Sequence, residues 1–265
     1  LDTFVHPNHK VGSDNKHLPR FLSTQLSRQD WQILFDAVKD ADMLTMCTPF
    51  DDESVPVITE MGFDIIKVAS CSAKDWPLLE TIANTFMPVI ASTGGLEIKD
   101  VDNLTSFFDH RGVNYALMHC VSIYPIPTEH YNLNHIGTLK NRYKNSVIGW
   151  STHENPNETV AVQIAIAKGA EMFERHIGVE TDNIKLNAYS STPAQLDSWF
   201  NAYQYAKDLC GFKDARPVTN LEKKSLNDLQ RGIFLKKNIK KGKTSYYTFL
   251  PNFRKHLWKD CSTIY

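Results

Sequence analysis

The chain alternates short, almost wholly apolar runs with longer segments in which apolar residues recur every three or four positions. The short runs are Met43–Cys47, Asp64–Ala69, Pro88–Ser92, Tyr115–Cys120, Ser146–Trp150 and Glu171–Phe173. They are too short for helices and mostly lack the alternation of a strand with one wet face. They therefore read as parallel strands buried on both faces. Between them, helical spacing marks Arg28–Asp40 (behind the cap Ser27), Asp51–Met61, Lys74–Phe86, Glu97–His110, Asn155–Lys168 and Thr192–Leu209. Asn155-Pro156 and Thr192-Pro193 have the cap-then-proline form of a helix start. Gly62, Gly112 and Gly169 stand where helices should stop.

Six strand–helix units in succession predict a parallel α/β fold, either a doubly wound sheet or a TIM barrel. Polar residues follow the strands: Thr48, Ser70, Ser92 with Thr93, Ser122, Ser151 to His153, and His176. Sites in both folds form at the carboxyl ends of the strands. Six successive ends supplying polar side chains favour a closed ring, which aims every strand end at one place. This assigns residues 1–211 to the barrel. Residues 212–230 are polar with weak periodicity and read as a linker or arm, and residues 231–265 as short strands around a Lys-Lys-Gly turn.

Composition narrows the classes. The chain has 265 residues, 42% of them hydrophobic, enough for one substantial core. With 29 basic and 30 acidic residues, no global field argues for nucleic acid or a membrane surface. The one charge-biased stretch, Lys236–Lys243, reads as a solvated face. No apolar run approaches the roughly 18 residues of a spanning helix, and Leu1–Lys10 is not a signal peptide. The abrupt opening at Leu1-Asp2-Thr3-Phe4, without an initiator Met, reads as a missing beginning. Five cysteines form no CxxC pair, and three end or follow apolar runs. They read as buried free thiols, and the cytoplasm is the expected compartment.

Candidate chemistry sits at the strand ends. His153 follows one strand in Gly-Trp-Ser-Thr-His-Glu, and His176 follows the next in Phe-Glu-Arg-His. Neighbouring strands bring such positions within metal-ligand reach, and two neutral imidazoles suit Mn²⁺, Zn²⁺ or Fe²⁺. Solvated or supporting histidines are the alternative. His6, His9, His17, His110, His130, His135 and His256 read as ordinary surface residues. Lys67, inside Ile-Ile-Lys-Val-Ala-Ser, is costly to bury without an anion, which a bound phosphate or a salt bridge would equally supply. Ser92-Thr93-Gly94-Gly95 fits either an anion-facing backbone or a tight turn that needs glycine. His119 and Cys120 are adjacent in a strand and point to opposite faces, so they do not form a nucleophile pair. No nucleotide-binding motif and no GxSxG elbow is present.

Taken together, Thr48-Pro49-Phe50, Lys67-Val68-Ala69-Ser70, Ser92-Thr93-Gly94, His119-Cys120 with Tyr124-Pro125 and Pro127, Gly149-Trp150-Ser151-Thr152-His153 and Glu174-Arg175-His176 resemble the sialic-acid synthase family in order and spacing. That family includes the N-acetylneuraminate, legionaminate and pseudaminate synthases and their spore-coat polysaccharide relatives. The resemblance covers residues 42–211 and continues faintly over Arg231–Phe249, like the start of an antifreeze-like (SAF) domain.

It implies a TIM barrel whose first two strands would precede Leu1, and a homodimer. It also implies condensation of phosphoenolpyruvate with an N-acetylmannosamine-like amino-sugar aldehyde. Carbon 3 attacks the aldehyde, water adds at carbon 2 and phosphate leaves. A divalent metal, Mn²⁺ or Mg²⁺, would be held by His153 and His176. Lys67, Thr48, Ser70, Ser92 and Ser151 match positions that hold phosphoenolpyruvate, Glu174 and Tyr124 positions that meet the sugar, and Lys224 a further phosphate-binding lysine. Three positions depart from the family's pattern: Ser72 replaces a Glu, Ser122 an Asn, and Asn187 an acidic residue. Another phosphoenolpyruvate-dependent sugar-acid synthase and a catalytically lapsed binding barrel are the competing readings.

Overall fold

The computed structural model describes residues 18–211, 215–235, 240–242 and 249–254, in two units, residues 1–210 and 211–265. His6, His9, His17, His256, Cys261 and most of Lys236–Lys243 lie outside the described residues.

The first unit runs α1 (Leu18–Ser23), α2 (Arg28–Asp40), β1 (Met46–Cys47), α3 (Ser54–Met61), β2 (Ile65–Val68), α4 (Trp76–Ala83), β3 (Val89–Ser92), α5 (Ile98–Arg111), β4 (Tyr115–His119), α6 (Asn134–Arg142), β5 (Val147–Thr152), α7 (Val160–Ala167), β6 (Met172–Arg175) and α8 (Pro193–Cys210). The six strands form one all-parallel sheet in chain order. A doubly wound sheet reverses its strand order at a switch point, and this one does not. The winding is that of a barrel, but β1 and β6 are edges among the described residues. The unit is therefore a parallel half-barrel, not the closed ring that the strand-end pattern favours.

Local chemistry explains most element ends. Ser27 and Asp30 close a capping box on α2. Gly62 and Gly112 take left-handed backbone after α3 and α5, a conformation that favours glycine. The Thr192 backbone and hydroxyl both donate to Gln195 Oε1, at 2.9 and 3.1 Å, at the start of α8. α7, in contrast, begins at Val160, not at Asn155. The Asn155 side chain instead closes a turn by accepting from Asn157 N at 2.9 Å. α6 is absent from the helical reading of the sequence. It buries only Ile136 and Leu139, carries Gly137 inside and has no side-chain cap, so its local signal is weak and tertiary packing holds it.

In the second unit, residues read as a linker form a helix, α9 (Asn220–Leu229). Thr219 caps it by accepting from Glu222 N at 3.1 Å. Arg216 donates to both Glu222 oxygens at 2.7 Å, which adds a bidentate clip to this short helix. β7 (Arg231–Leu235) and β8 (Phe249–Arg254) pair antiparallel.

The sheet's two faces differ in kind. The helix-facing side holds Ile66, Val68, Val89, Ala91, Leu117, Ile148 and Trp150, packed with Leu78, Leu79, Leu104, Phe108, Ile136 and Leu139. Each fully buried side chain of this size stabilises by about 1.5–3 kcal/mol. The opposite, inner face carries a small layer of Ile90, Ala116 and Met118 with Ile65 and Met172. Gly149 lies in that layer, in register with Met118 and Met172. A Cβ there would overlap Met118 Sδ and lie 2.7 Å from Met172 O. Gly149→Ala is expected to cost about 1–3 kcal/mol through overpacking, read as a lower urea midpoint. An unchanged midpoint would show that Met118 repacks freely.

Candidate active site at the carboxyl ends of the strands

Alternation carries the inner face upward from the apolar layer. In register, Lys67 pairs with Ile90, Ser92 with Met118, Met118 with Gly149, and Ser151 with Glu174. Lys67, Ser92, Ser151 and Glu174 each lie two residues further along their own strands than Ile65, Ile90, Gly149 and Met172, and so form a staggered polar layer on the same face. His153 and His176 continue the same face just past β5 and β6.

The polar layer is tightly wired. Lys67, 5% exposed, donates to Ser92 Oγ at 2.6 Å. Its ammonium lies 3.3 Å from Glu174 Oε2, an ion pair outside hydrogen-bond geometry. This ion pair supplies the salt-bridge form of balance for the lysine. Ser70 Oγ accepts from Gly94 N at 2.9 Å. A Cβ on Gly94 would overlap Ser122 Oγ and lie 2.8 Å from Ser70 Oγ and 3.3 Å from Cys120 Sγ. The bare Gly94 Cα thus gathers Ser70, Ser122 and Cys120, and its N–H is already used. Gly95 has φ +73°. Ser92 to Gly95 is accordingly a tight βα turn that needs its glycines.

Above this layer the aromatic rings converge. The His153 and His176 ring centroids are 5.2 Å apart, and Tyr124 sits edge-on to His153 at 4.4 Å. Tyr189, from the loop after β6, lies 5.0 Å from His176, 5.8 Å from His153 and 5.5 Å from Tyr124. Burial, with His176 close by, pushes the His153 imidazole down to about 4, so it is neutral near pH 7. Among the described residues no three His, Cys, Asp or Glu side chains converge as a metal-binding group. The donor set at this place is two imidazoles.

The other sequence candidates fall as follows. Thr48 directly follows β1 and is half-buried, and Ser122 is exposed beside Gly94. Lys224 is exposed on α9, in the second unit. His119 faces the helices, donating from Nε2 to Tyr131 O at 2.9 Å, and Cys120 faces inward. The opposite-face reading of that pair holds. Of the cysteines, Cys120 is buried and Cys47 half-buried, but Cys71 and Cys210 are exposed. The buried-thiol expectation fails for Cys71, which follows an apolar run but sits in a short helical turn; Cys210 is the last residue of α8.

Three residues near the site have no role in the sequence reading: Tyr189, outside every motif, and Glu154 and Arg175, which stand inside two of them. Tyr189 lies in an irregular loop. Glu154 and Arg175 adjoin the histidines with opposite parity, so alternation places them on the far face, where they pair. Two clefts, of about 310 and 450 Å³, lie elsewhere. One is beside Tyr115, Arg142 and Ser146 near the starts of β4 and β5. The other lies between β6 and α8. No helix among the described residues is long and apolar enough to cross a membrane.

A sequence model of the NeuB family matches residues 4–214. The chain belongs to the NeuB family. Its relatives agree with that placement. A solved structure described as spore coat polysaccharide biosynthesis protein E of Chromobacterium violaceum is 43% identical, with a TM-score of 0.85, over 89% of this chain and 70% of that one. The N-acetylneuraminic acid (sialic acid) synthetase of Leptospira borgpetersenii superposes with a TM-score of 0.74 at 26% identity, over 82% of this chain and 76% of that one. Among curated NeuB-like proteins, the N,N'-diacetyllegionaminic acid synthase of Campylobacter jejuni is 26% identical over 239 residues, 88% of this chain and 70% of its own length. The chain spans 60–70% of the length of the first curated relatives it matches.

Proposed function

We propose that the protein is a nonulosonic-acid synthase, joining phosphoenolpyruvate to an amino-sugar aldehyde with release of phosphate. One observation carries this reading: a buried lysine, a carboxylate and a set of hydroxyls form one layer directly beneath two facing imidazoles. Relatives named as legionaminic, pseudaminic and N-acetylneuraminate-9-phosphate synthases support it.

In this reading Lys67 leaves its ion pair with Glu174 to meet the phosphate or carboxylate of phosphoenolpyruvate. Thr48, Ser70, Ser92 and Ser151 add hydroxyl donors around it. Glu174, released from Lys67, accepts hydrogen bonds from the sugar, with Tyr124 against its other side. The residues fit a divalent cation, Mn²⁺ or Mg²⁺, because His153 is held neutral and its ring lies close to that of His176. A cation there would take its remaining ligands from water and substrate. When bound it supplies Lewis-acid polarisation of the aldehyde oxygen. The protein's own contribution is positioning and a fixed electrostatic setting. The working assembly is proposed as a cytoplasmic homodimer.

The test is product identification. The protein is supplied with phosphoenolpyruvate, Mn²⁺ and N-acetylmannosamine or its 6-deoxy relatives, and phosphate release is followed with mass spectrometry of the product. The expected result is a nine-carbon sugar acid formed with stoichiometric phosphate. Binding of phosphoenolpyruvate without phosphate release from any hexosamine would instead favour the lapsed barrel. A seven- or eight-carbon product from another aldehyde would favour a different sugar-acid synthase.

A further inference from the structure

β5 and β6 pair as far as Thr152 and Arg175, the last residue of each strand. His153 and His176 come immediately afterwards, so the backbone ladder stops one residue short of both rings. A side-chain link on the helix-facing side takes over there. Glu154 is fully buried and the Arg175 side chain is 4% exposed. One Arg175 terminal nitrogen donates to Glu154 Oε1, the other donates to Pro156 O at 3.0 Å, and Nε donates to Ser191 Oγ at 2.7 Å. Ser191 in turn donates its N–H to His176 O at 2.9 Å and accepts from Gly178 N at 2.9 Å. One guanidinium therefore ties together the residue before His176, the residues just after His153 and the return segment clasped to His176.

We propose that Arg175 and Glu154 are positioning residues that set the separation and facing of the two imidazoles, and thereby the site's affinity for a divalent cation. This rests on the metal reading above. The planar fork suits the role, because it holds three acceptors on two neighbouring segments in one fixed geometry, which an ammonium does not supply. A merely structural ion pair would hold the fold without acting on the histidines in particular.

The test measures Mn²⁺ binding by electron paramagnetic resonance of the free ion, and phosphoenolpyruvate binding by calorimetry, on the whole chain. Arg175→Lys keeps a charge opposite Glu154 but loses the fork. It is expected to fold, to weaken Mn²⁺ binding at least tenfold, and to leave phosphoenolpyruvate affinity within twofold, since Lys67 and Ser92 stand on β2 and β3. Should that variant fail to fold, the double variant Glu154→Gln/Arg175→Met removes both charges while filling similar space, a change buried pairs often tolerate. The same selective loss is expected from it. Wild-type Mn²⁺ affinity in either folded variant, or equal loss of Mn²⁺ and phosphoenolpyruvate binding, would overturn the proposal. A wild-type protein that binds no Mn²⁺ is a separate result: it removes the metal reading itself, and this proposal with it.

Discussion

His176→Ala is expected to lower turnover about 10²–10⁴-fold, the rate equivalent of several kcal/mol of lost charge stabilisation, and to abolish measurable Mn²⁺ binding while the protein stays folded. The residue's exposure makes the test clean. His176 lies past the end of β6 and is exposed, whereas His153 is 7% exposed and packs against Tyr124. Truncating His176 therefore creates no interior void, and its backbone carbonyl still accepts from Ser191 N. His153→Ala should match it in activity but also lower the melting temperature, because it removes a buried ring. Turnover within threefold of wild type for His176→Ala, with Mn²⁺ still bound, would end the assignment of the pair as ligands.

Lys67→Met is expected to raise the KM for phosphoenolpyruvate and reduce kcat/KM by about 10²–10³-fold, as loss of one buried charge-assisted contact and its ion pair predicts. Methionine matches the length of the lysine stem, so the inner face stays filled. Glu174, with a side chain 35% exposed, can hydrate when its partner is gone. The fold should survive for those reasons. The competing outcome is informative. If Lys67 serves only to neutralise Glu174, the variant loses stability but keeps its KM, because the two roles load on different measurements.

Much of this site is legible in the sequence because strand parity is simple. All six strands are found within a few residues of the apolar runs; β2 to β5 are largely buried on both faces, which leaves an unbroken hydrophobic signal, whereas the edge strands β1 and β6 are not buried in that way. The step from Lys67 to Ser92 to Ser151 to Glu174 follows from counting by two along neighbouring strands. What escaped lies where long-range packing outweighs local signal. α6 has only two buried side chains and an internal glycine. α9 is short and has no buried residue, so its polar surface resembles a linker, and only its Thr219 cap betrays it. Asn155-Pro156 has the form of a helix start yet serves a turn, because Pro156 O is needed by Arg175. Tyr189 reaches the histidines from a loop whose course no periodicity records.

The two-faced sheet has a consequence for how this protein can change. Along β5 and just past it, Ile148, Trp150 and Thr152 face the helices while Gly149, Ser151 and His153 lie on the inner face. Stability and chemistry are thus written in alternate letters of the same short word. Substitutions at inner-face positions above Gly149 other than the buried His153 leave the helix-packed letters untouched. On the proposed synthase reading, acceptor preference can therefore be selected in a small library at Tyr124, Glu174 and Tyr189 without touching the helix-packed residues.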